Sequence, residues 1–348
     1  MIRRITSRLS ASLSARSWVR IGPGDDAAVV EPERGTLDVL TTDAVVEGVH
    51  FDRAFVPLAA VGHRALAVNL SDLAAMGARP RAALLSLVLP ESLDVTEVDQ
   101  LLDGLLPLAE AHGVALVGGN ITRTTGPLVI DVTAVGSVKP RKILTRTGAR
   151  PGDEIYVTGS LGAAAVGLLM LRDGAPGWTV GGAQQPTGTT SSDRAEGTAS
   201  PAEESRACVE RYLRPVPRVR AGVLLGRTRA ASSAMDLSDG LADALAQVAE
   251  MSAVGMRVDI AALPIAQGVR DWHATHGGDP LDSALSGGDD YELLFTVRPT
   301  HRGRLRGVRK QLGDLAITRI GVVAPGREVV LATADGARPL PRGFDHFQ

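Results

Sequence analysis

The chain has 348 residues, 44% of them hydrophobic, enough for two packed cores or for one carrying a large insertion. A formal net charge of −2 excludes the strongly basic field of a dedicated nucleic-acid binder, and a single cysteine, Cys208, excludes a disulfide framework or a thiolate metal cluster. The longest apolar run, 161–171, is too short to span a bilayer, and residues 1–20 lack the apolar core of a signal peptide, so a cytoplasmic protein without a membrane partner is expected.

In chain order, residues 1–18 read as a short amphipathic helix built on Ile2, Ile5 and Leu9. Gly22 and Gly24 lead into Asp25-Asp26, and strands are expected at 25–30 and 37–42, the second ending in Thr41-Thr42-Asp43. Carboxylates on that turn and at that strand end converge if the two strands share a sheet. Residues 57–77 carry Val61, Ala65, Val68 and Met76 at helical spacing, and on that helix Asn69 and Asp72 share a face. An apolar strand at 82–89 and a helix at 95–112, closed by Gly113, come next. A strand at 114–117 then runs into Gly118-Gly119-Asn120, followed by one at 128–138. This order is mixed α/β rather than a Rossmann alternation. The proline-containing, basic stretch 139–152 reads as the crossing from an N-terminal domain, 1–138, to a C-terminal domain, 139–348.

The second half opens with a strand at 154–158 and the turn Gly159-Ser160-Leu161-Gly162 before an alanine-rich helix. From about 173 to 207 periodicity vanishes into Gly, Thr, Ser, Gln and Pro, and a disordered insertion is expected. Structure resumes at 208–213 and in a helix through Leu225. Asp236-Leu237-Ser238-Asp239-Gly240 then leads into a helix at 241–252, and strands are expected at 257–260 and 293–297, the latter after the Gly-Asp turn 286–292.

Any one of these aspartates is explained by a turn or a helix cap. Together Asp26, Asp43, Asp72, Asp236 and Asp239 stand in apolar surroundings where uncompensated carboxylates are costly, and a shared Mg²⁺ completed by polyphosphate removes that cost. Mg²⁺ is preferred to Zn²⁺ because the histidines are dispersed and thiols are absent. No G-x-x-x-x-G-K-[ST] loop and no protein-kinase signature set is present. Taken alone, His50 reads as a loop histidine, and Arg146 as either a phosphate clamp or a solvated residue.

The strings GDDAAVV, TTDAVVEGVHF, AVNLSDLAAMGARP, GGN, LTRTGARPGDEIYVTGSLG, RPVPR, AMDLSDGLADAL and SGGDDYELLFTV, in this order, resemble the pattern of thiamine-monophosphate kinases, within the aminoimidazole ribonucleotide synthetase superfamily. The resemblance covers nearly everything but 173–207. It implies a two-domain PurM-like fold with an N-terminal sheet that pairs across a homodimer, and Mg²⁺-assisted transfer of the ATP γ-phosphoryl group to thiamine monophosphate. It further implies Asp26, Thr41, Thr42, Asp43, Asp72, Asn120, Asp236 and Asp239 as Mg²⁺ positions. Gly119, Asn120, Arg146 and Ser238 fall at ATP positions, and His50, Asp289 and Phe344 at substrate positions. Family members commonly carry aspartate where Asn120 stands and glutamate where Asp289 stands. These departures leave a catalytically weak or idle nucleotide-binding paralogue, or another ATP-dependent enzyme of the superfamily, as the alternatives.

Overall fold

A computed structural model describes all residues except 12, 14, 15, 175–199, 334, 335 and 342–348. Helix α1 (Ile2–Ala11) is followed by β1 (Val19–Ile21) and β2 (Val29–Val30), which form a two-stranded sheet of their own. Next come β3 (Leu37–Val46), α2 (Leu58–Ala75), β4 (Arg79–Pro90), α3 (Val95–Ala111), β5 (Ala115–Thr124) and β6 (Val129–Val138). Their four strands make a mixed sheet in the order β3-β6-β4-β5. The strand expected at 25–30 is thus only two residues long and does not join the sheet that carries Asp43.

The second half contains β7 (Glu154–Thr158), α4 (Ala163–Arg172), α5 (Pro201–Leu213), α6 (Val219–Thr228), β8 (Ser233–Asp236), α7 (Leu241–Ser252) and β9 (Gly255–Asp259). It continues with α8 (Gln267–His276), α9 (Pro280–Ser286), β10 (Leu293–Val297), α10 (Arg302–Leu312), β11 (Ile317–Ala324), β12 (Val329–Thr333) and β13 (Gly336–Pro339). Its seven strands run β13-β12-β9-β11-β7-β10-β8, antiparallel throughout except for the β9–β12 pair.

The expected insertion needs a correction at its C-terminal end: residues 201–207 are the first half of α5. Ser200 accepts from the Glu203 amide while the Glu203 carboxylate takes the Ser200 amide, which satisfies the donors that would otherwise fray the helix start. Apolar periodicity does not reveal this turn because α5 buries only Cys208, Val209, Tyr212 and Leu213, all in its second half. The rest of the proposed insertion, 175–199, lies outside the described residues.

Helix α2 is the shared wall between the two halves. Only Ala59, His63 and Asp72 along it are even partly exposed, as expected for a helix packed on every side. One side lies on β3 and β6, another against α3, and the remainder against α6 and β8 of the second half. The α2–α3 crossing is close because a glycine faces the other backbone from each helix. A Cβ on Gly62 would stand 1.9 Å from the Leu101 carbonyl oxygen, and one on Gly104 would stand 1.7 Å from that of Ala59. Gly104→Ala is therefore expected to force the helices apart and to cost about 3 kcal/mol of unfolding free energy in urea titration. A loss below about 1 kcal/mol would mean that the crossing relaxes freely.

Candidate active site

Strand β3 alternates its side chains between the two faces of the sheet. Thr41 and Asp43 point towards α2, opposite the buried Ala134 and Val132 of β6. There the Thr41 hydroxyl donates to Asp72 Oδ2, and Asp43 lies within hydrogen-bonding range of the same carboxylate. One residue back on α2, the Ser71 hydroxyl donates to Asp236 Oδ2 at 2.7 Å, which ties the end of β8 to the N-terminal half. Asp43, Asp72 and Asp236, far apart in sequence, meet in one cleft.

Electrostatics records how close that meeting is. The Asp43 carboxyl is raised to about 7, by loss of hydration first and then by the charges of Asp72 and Asp236. Asp236, fully buried, is also raised to about 7 by its burial and by Asp72. The donor set is carboxylate and hydroxyl oxygen, which suits Mg²⁺. Among the described residues, no three histidine, cysteine or acidic side chains form a ready-made cage for an ion. An open arrangement of this kind fits an ion that keeps waters and takes further ligands from substrate phosphates.

Other candidate residues surround the same cleft. Arg146 donates to Gln247 of α7, and its charge acts on Asp236 and Asp243. The Ser238 hydroxyl donates to Asp239 at 2.8 Å in the turn after β8. The turn 287–291 is laced onto that one, since the Asp289 amide donates to the Ser238 carbonyl and the Tyr291 amide to that of Leu237. Asp289 and Tyr291 both adopt left-handed backbone conformations, φ +69° and +48°, which few non-glycine residues accept without support. His50, in the turn after β3, accepts the Val46 amide on Nδ1, so its neutral form carries the proton on Nε2.

Not every expected site residue joins this cluster. The Thr42 side chain lies on the opposite face of the sheet, 3.1 Å from the Thr133 hydroxyl and 3.2 Å from Asp131 Oδ1. Asn120 pairs with Ser86, which pairs with Asp131, so Asn120 also faces away from α2. It stands on β5, the opposite edge from β3, about 14 Å away at three strand spacings. Asp26 is exposed in a segment whose Trp18, Val19 and Ala28 pack on Ala82, Ala115 and Val117, and it is not among the main charges acting on Asp43. Gly119, next to Asn120, shares its far edge, and Phe344 lies outside the described residues.

Sequence reasoning also missed residues that shape the cleft. Asp131, Arg64 and Tyr212 belong to no acidic turn or glycine-rich loop, and only their place in the fold marks them; Tyr291 lies in the Gly-Asp turn 286–292, but nothing in its sequence marks its hydroxyl.

Comparison with known proteins defines the class first. The AIR synthase related protein N-terminal domain matches residues 24–138, and the corresponding C-terminal domain matches 150–333. The thiamine-monophosphate kinase of Salmonella typhimurium is 38% identical over 338 residues, covering 96% of this chain and 94% of the relative. The crystal structure of thiamine-monophosphate kinase from Stenotrophomonas maltophilia K279a superposes with a TM-score of 0.79 at 38% identity, covering 93% of this chain and 94% of that one. A structure described as AaThiL complexed with AMPPCP and TMP superposes at 0.73 with 31% identity, covering 99% of this chain and 96% of that one. Within the two-domain AIR synthase related proteins, this chain belongs to the thiamine-monophosphate kinase family.

Proposed function

We propose that the chain is a thiamine-monophosphate kinase, which moves the γ-phosphoryl group of ATP to the phosphate of thiamine monophosphate and releases ADP and thiamine diphosphate. The observation that carries this reading is the convergence of Asp43, Asp72 and Asp236 at the junction of the two halves. Full-length similarity to thiamine-monophosphate kinases, and to a structure described as holding AMPPCP and TMP, supports it.

Asp43, Asp72 and Asp236, with the Thr41 hydroxyl, would hold Mg²⁺, and Asp239 stands one turn away to extend the set. Bound there, Mg²⁺ offsets the repulsion between two anionic reactants and neutralises charge on the transferring group. Arg146 supplies a fixed positive charge for the ATP phosphates, alongside the Ser238 turn. His50 can offer its Nε2 proton, and Asp289 its carboxylate, to the acceptor. The acceptor phosphate oxygen is already ionised near neutral pH, so no side chain has to remove a proton.

The direct test is Mg²⁺-dependent formation of thiamine diphosphate from ATP and thiamine monophosphate; nucleotide binding without turnover would favour an idle paralogue. The same assay carries a pH signature. With carboxyls raised to about 7, Mg²⁺ below that pH must displace protons, so its affinity should fall up to tenfold per pH unit for each proton released. Calorimetry in buffers of different ionisation enthalpy should detect that release at pH 6 and little at pH 8. No release at pH 6 would show that the acids are already ionised there.

The homodimer belongs to the same reading. The sheet face turned away from α2 presents Leu40 at 69% and Leu84 at 41% exposure, beside Thr42, Asp131 and Asn120. Two copies pairing through this face and its edges would cover the leucines and bring one protomer's β5 edge, with Gly119 and Asn120, towards the other's β3. Asn120 then contributes across the interface rather than within its own chain. Sedimentation as a monomer at micromolar concentration with full activity would overturn this arrangement. The working domain division remains at residue 138.

A further inference from the structure

Two residues assigned above to the acceptor, His50 and Asp289, come from different halves of the chain, and one buried cation connects them. Arg64 of α2 has a side chain only 3% exposed. One nitrogen of its guanidinium donates to the Tyr212 carbonyl at 2.7 Å, and another stands 3.0 Å from Asp289 Oδ2. Its plane lies over the Tyr212 ring, 4.6 Å from the centroid. The Tyr212 hydroxyl in turn donates to the His50 carbonyl at 3.3 Å. On the other side, the Tyr291 hydroxyl donates to Asp289 Oδ1 at 3.0 Å. Each oxygen of Asp289 therefore has one protein partner, while its side chain keeps 31% of its surface exposed.

This arrangement does more than hold a loop. A carboxylate with one lone pair on each oxygen committed, and a guanidinium as its counter-ion, points in one direction and presents its remaining lone pairs as acceptors. It discriminates in favour of a hydrogen-bond donor or a cationic ring. The left-handed backbone at Asp289 and Tyr291 is pinned by amide bonds to the Ser238 and Leu237 carbonyls, and Arg64 and the Tyr291 hydroxyl fix the carboxylate that this backbone presents. A lysine at position 64 is a compact point charge with no planar fork, so it can reach Asp289 or the Tyr212 carbonyl but not grip both in plane.

We propose that Arg64 is a positioning residue for the acceptor: docked on Tyr212, it fixes the Asp289 carboxylate, with Tyr291 as second anchor, to receive a hydrogen-bond donor on the non-phosphate part of the substrate. The proposal rests on the kinase reading above and deepens its acceptor subsite.

The test is steady-state kinetics of the full-length enzyme with each substrate varied separately, for wild type, Asp289→Asn, Arg64→Met, Arg64→Lys and Tyr291→Phe. Arg64→Met should raise KM for thiamine monophosphate about tenfold or more while KM for ATP stays within twofold. Arg64→Lys should recover part of that loss, and Tyr291→Phe, which removes one hydroxyl and keeps the ring, should raise the same KM about threefold. Arg64→Met combined with Asp289→Asn should be no worse than the poorer single variant. If Arg64→Met fails to fold, the Tyr291→Phe and Arg64→Lys shifts decide the matter. Unchanged KM for thiamine monophosphate in those variants, or equal shifts for both substrates, overturns the positioning role while leaving the kinase assignment intact. A wild-type enzyme that does not turn over thiamine monophosphate overturns both.

Discussion

Asp43→Asn is expected to lower turnover by about a thousandfold or more, the scale of losing a principal electrostatic contact to a phosphoryl-transfer transition state. The same change should leave the protein in the absence of Mg²⁺ at least as stable as wild type. Asp43 stands against Asp72 and Asp236, and burial together with those like charges lifts its carboxyl to about 7. A group whose folded pKa is raised contributes stability only where it is protonated, and it becomes a liability as pH rises through that value. Above pH 7 the asparagine variant is freed of that liability. Thermal melts at pH 8 should show a Tm equal to or above that of wild type without Mg²⁺, and a smaller rise on adding Mg²⁺ and ATP. Loss of activity with a collapsed Tm would point to structural damage, and near-normal turnover would remove Asp43 from the site altogether. Separating the two readouts matters because a purely structural aspartate would move both together.

How much of this was legible in the sequence depends on whether a residue acts through its neighbours along the chain or across the fold. Strands at 154–158 and 293–297 and the helix at 241–252 appear with the bounds read from the sequence, because short β-branched or apolar runs and helical periodicity are local signals. Strand β3 runs on to Val46 and β5 to Thr124 because ladder pairing, invisible to periodicity, continues past the expected glycine and aspartate stops. Residues 261–341 yielded only the strand at 293–297. Helix α10, whose buried Leu305 and Val308 are outnumbered by arginines, has too thin an apolar stripe to stand out. For the site, the aspartates at 43, 72 and 236 were readable as a set, since like charges in apolar sequence surroundings point to a common cation. What the sequence could not supply was side. Thr41 and Thr42 are neighbours that face opposite ways, and Asn120 lies three strands from the carboxylates it was grouped with. Arg64 escaped notice for a related reason: within a long apolar helix a lone arginine reads as a solvated residue until the second half closes over it.

Glu292→Gln is expected to destabilise the protein by about 3–5 kcal/mol, the scale of breaking a buried ion pair from one side. Glu292 has no exposed side-chain surface, yet it faces two guanidinium groups, Arg211 of α5 and Arg218 at the start of α6. Arg218 Nε donates to it at 2.6 Å and the Thr158 hydroxyl of β7 at 2.6 Å, so four elements meet on one carboxylate. Burial alone would raise its pKa; the Arg218 hydrogen bond and the two guanidinium charges outweigh burial and hold it below the usual glutamate range. A depressed folded pKa contributes stability above the unfolded value and loses it as pH falls through the folded one. The gap between wild type and Glu292→Gln should therefore be constant at neutral pH, begin to narrow as pH falls below the ordinary glutamate value, and be smallest once pH lies below the depressed folded one. The glutamine amide cannot neutralise two buried guanidinium groups, and its own N–H donors face theirs, which is why the cost exceeds that of a simple lost hydrogen bond. Urea unfolding at neutral and acidic pH measures both features. A loss below about 1 kcal/mol, or a gap that ignores acidification, would mean that the two arginines find other partners and that α5 and α6 are not fixed through this carboxylate.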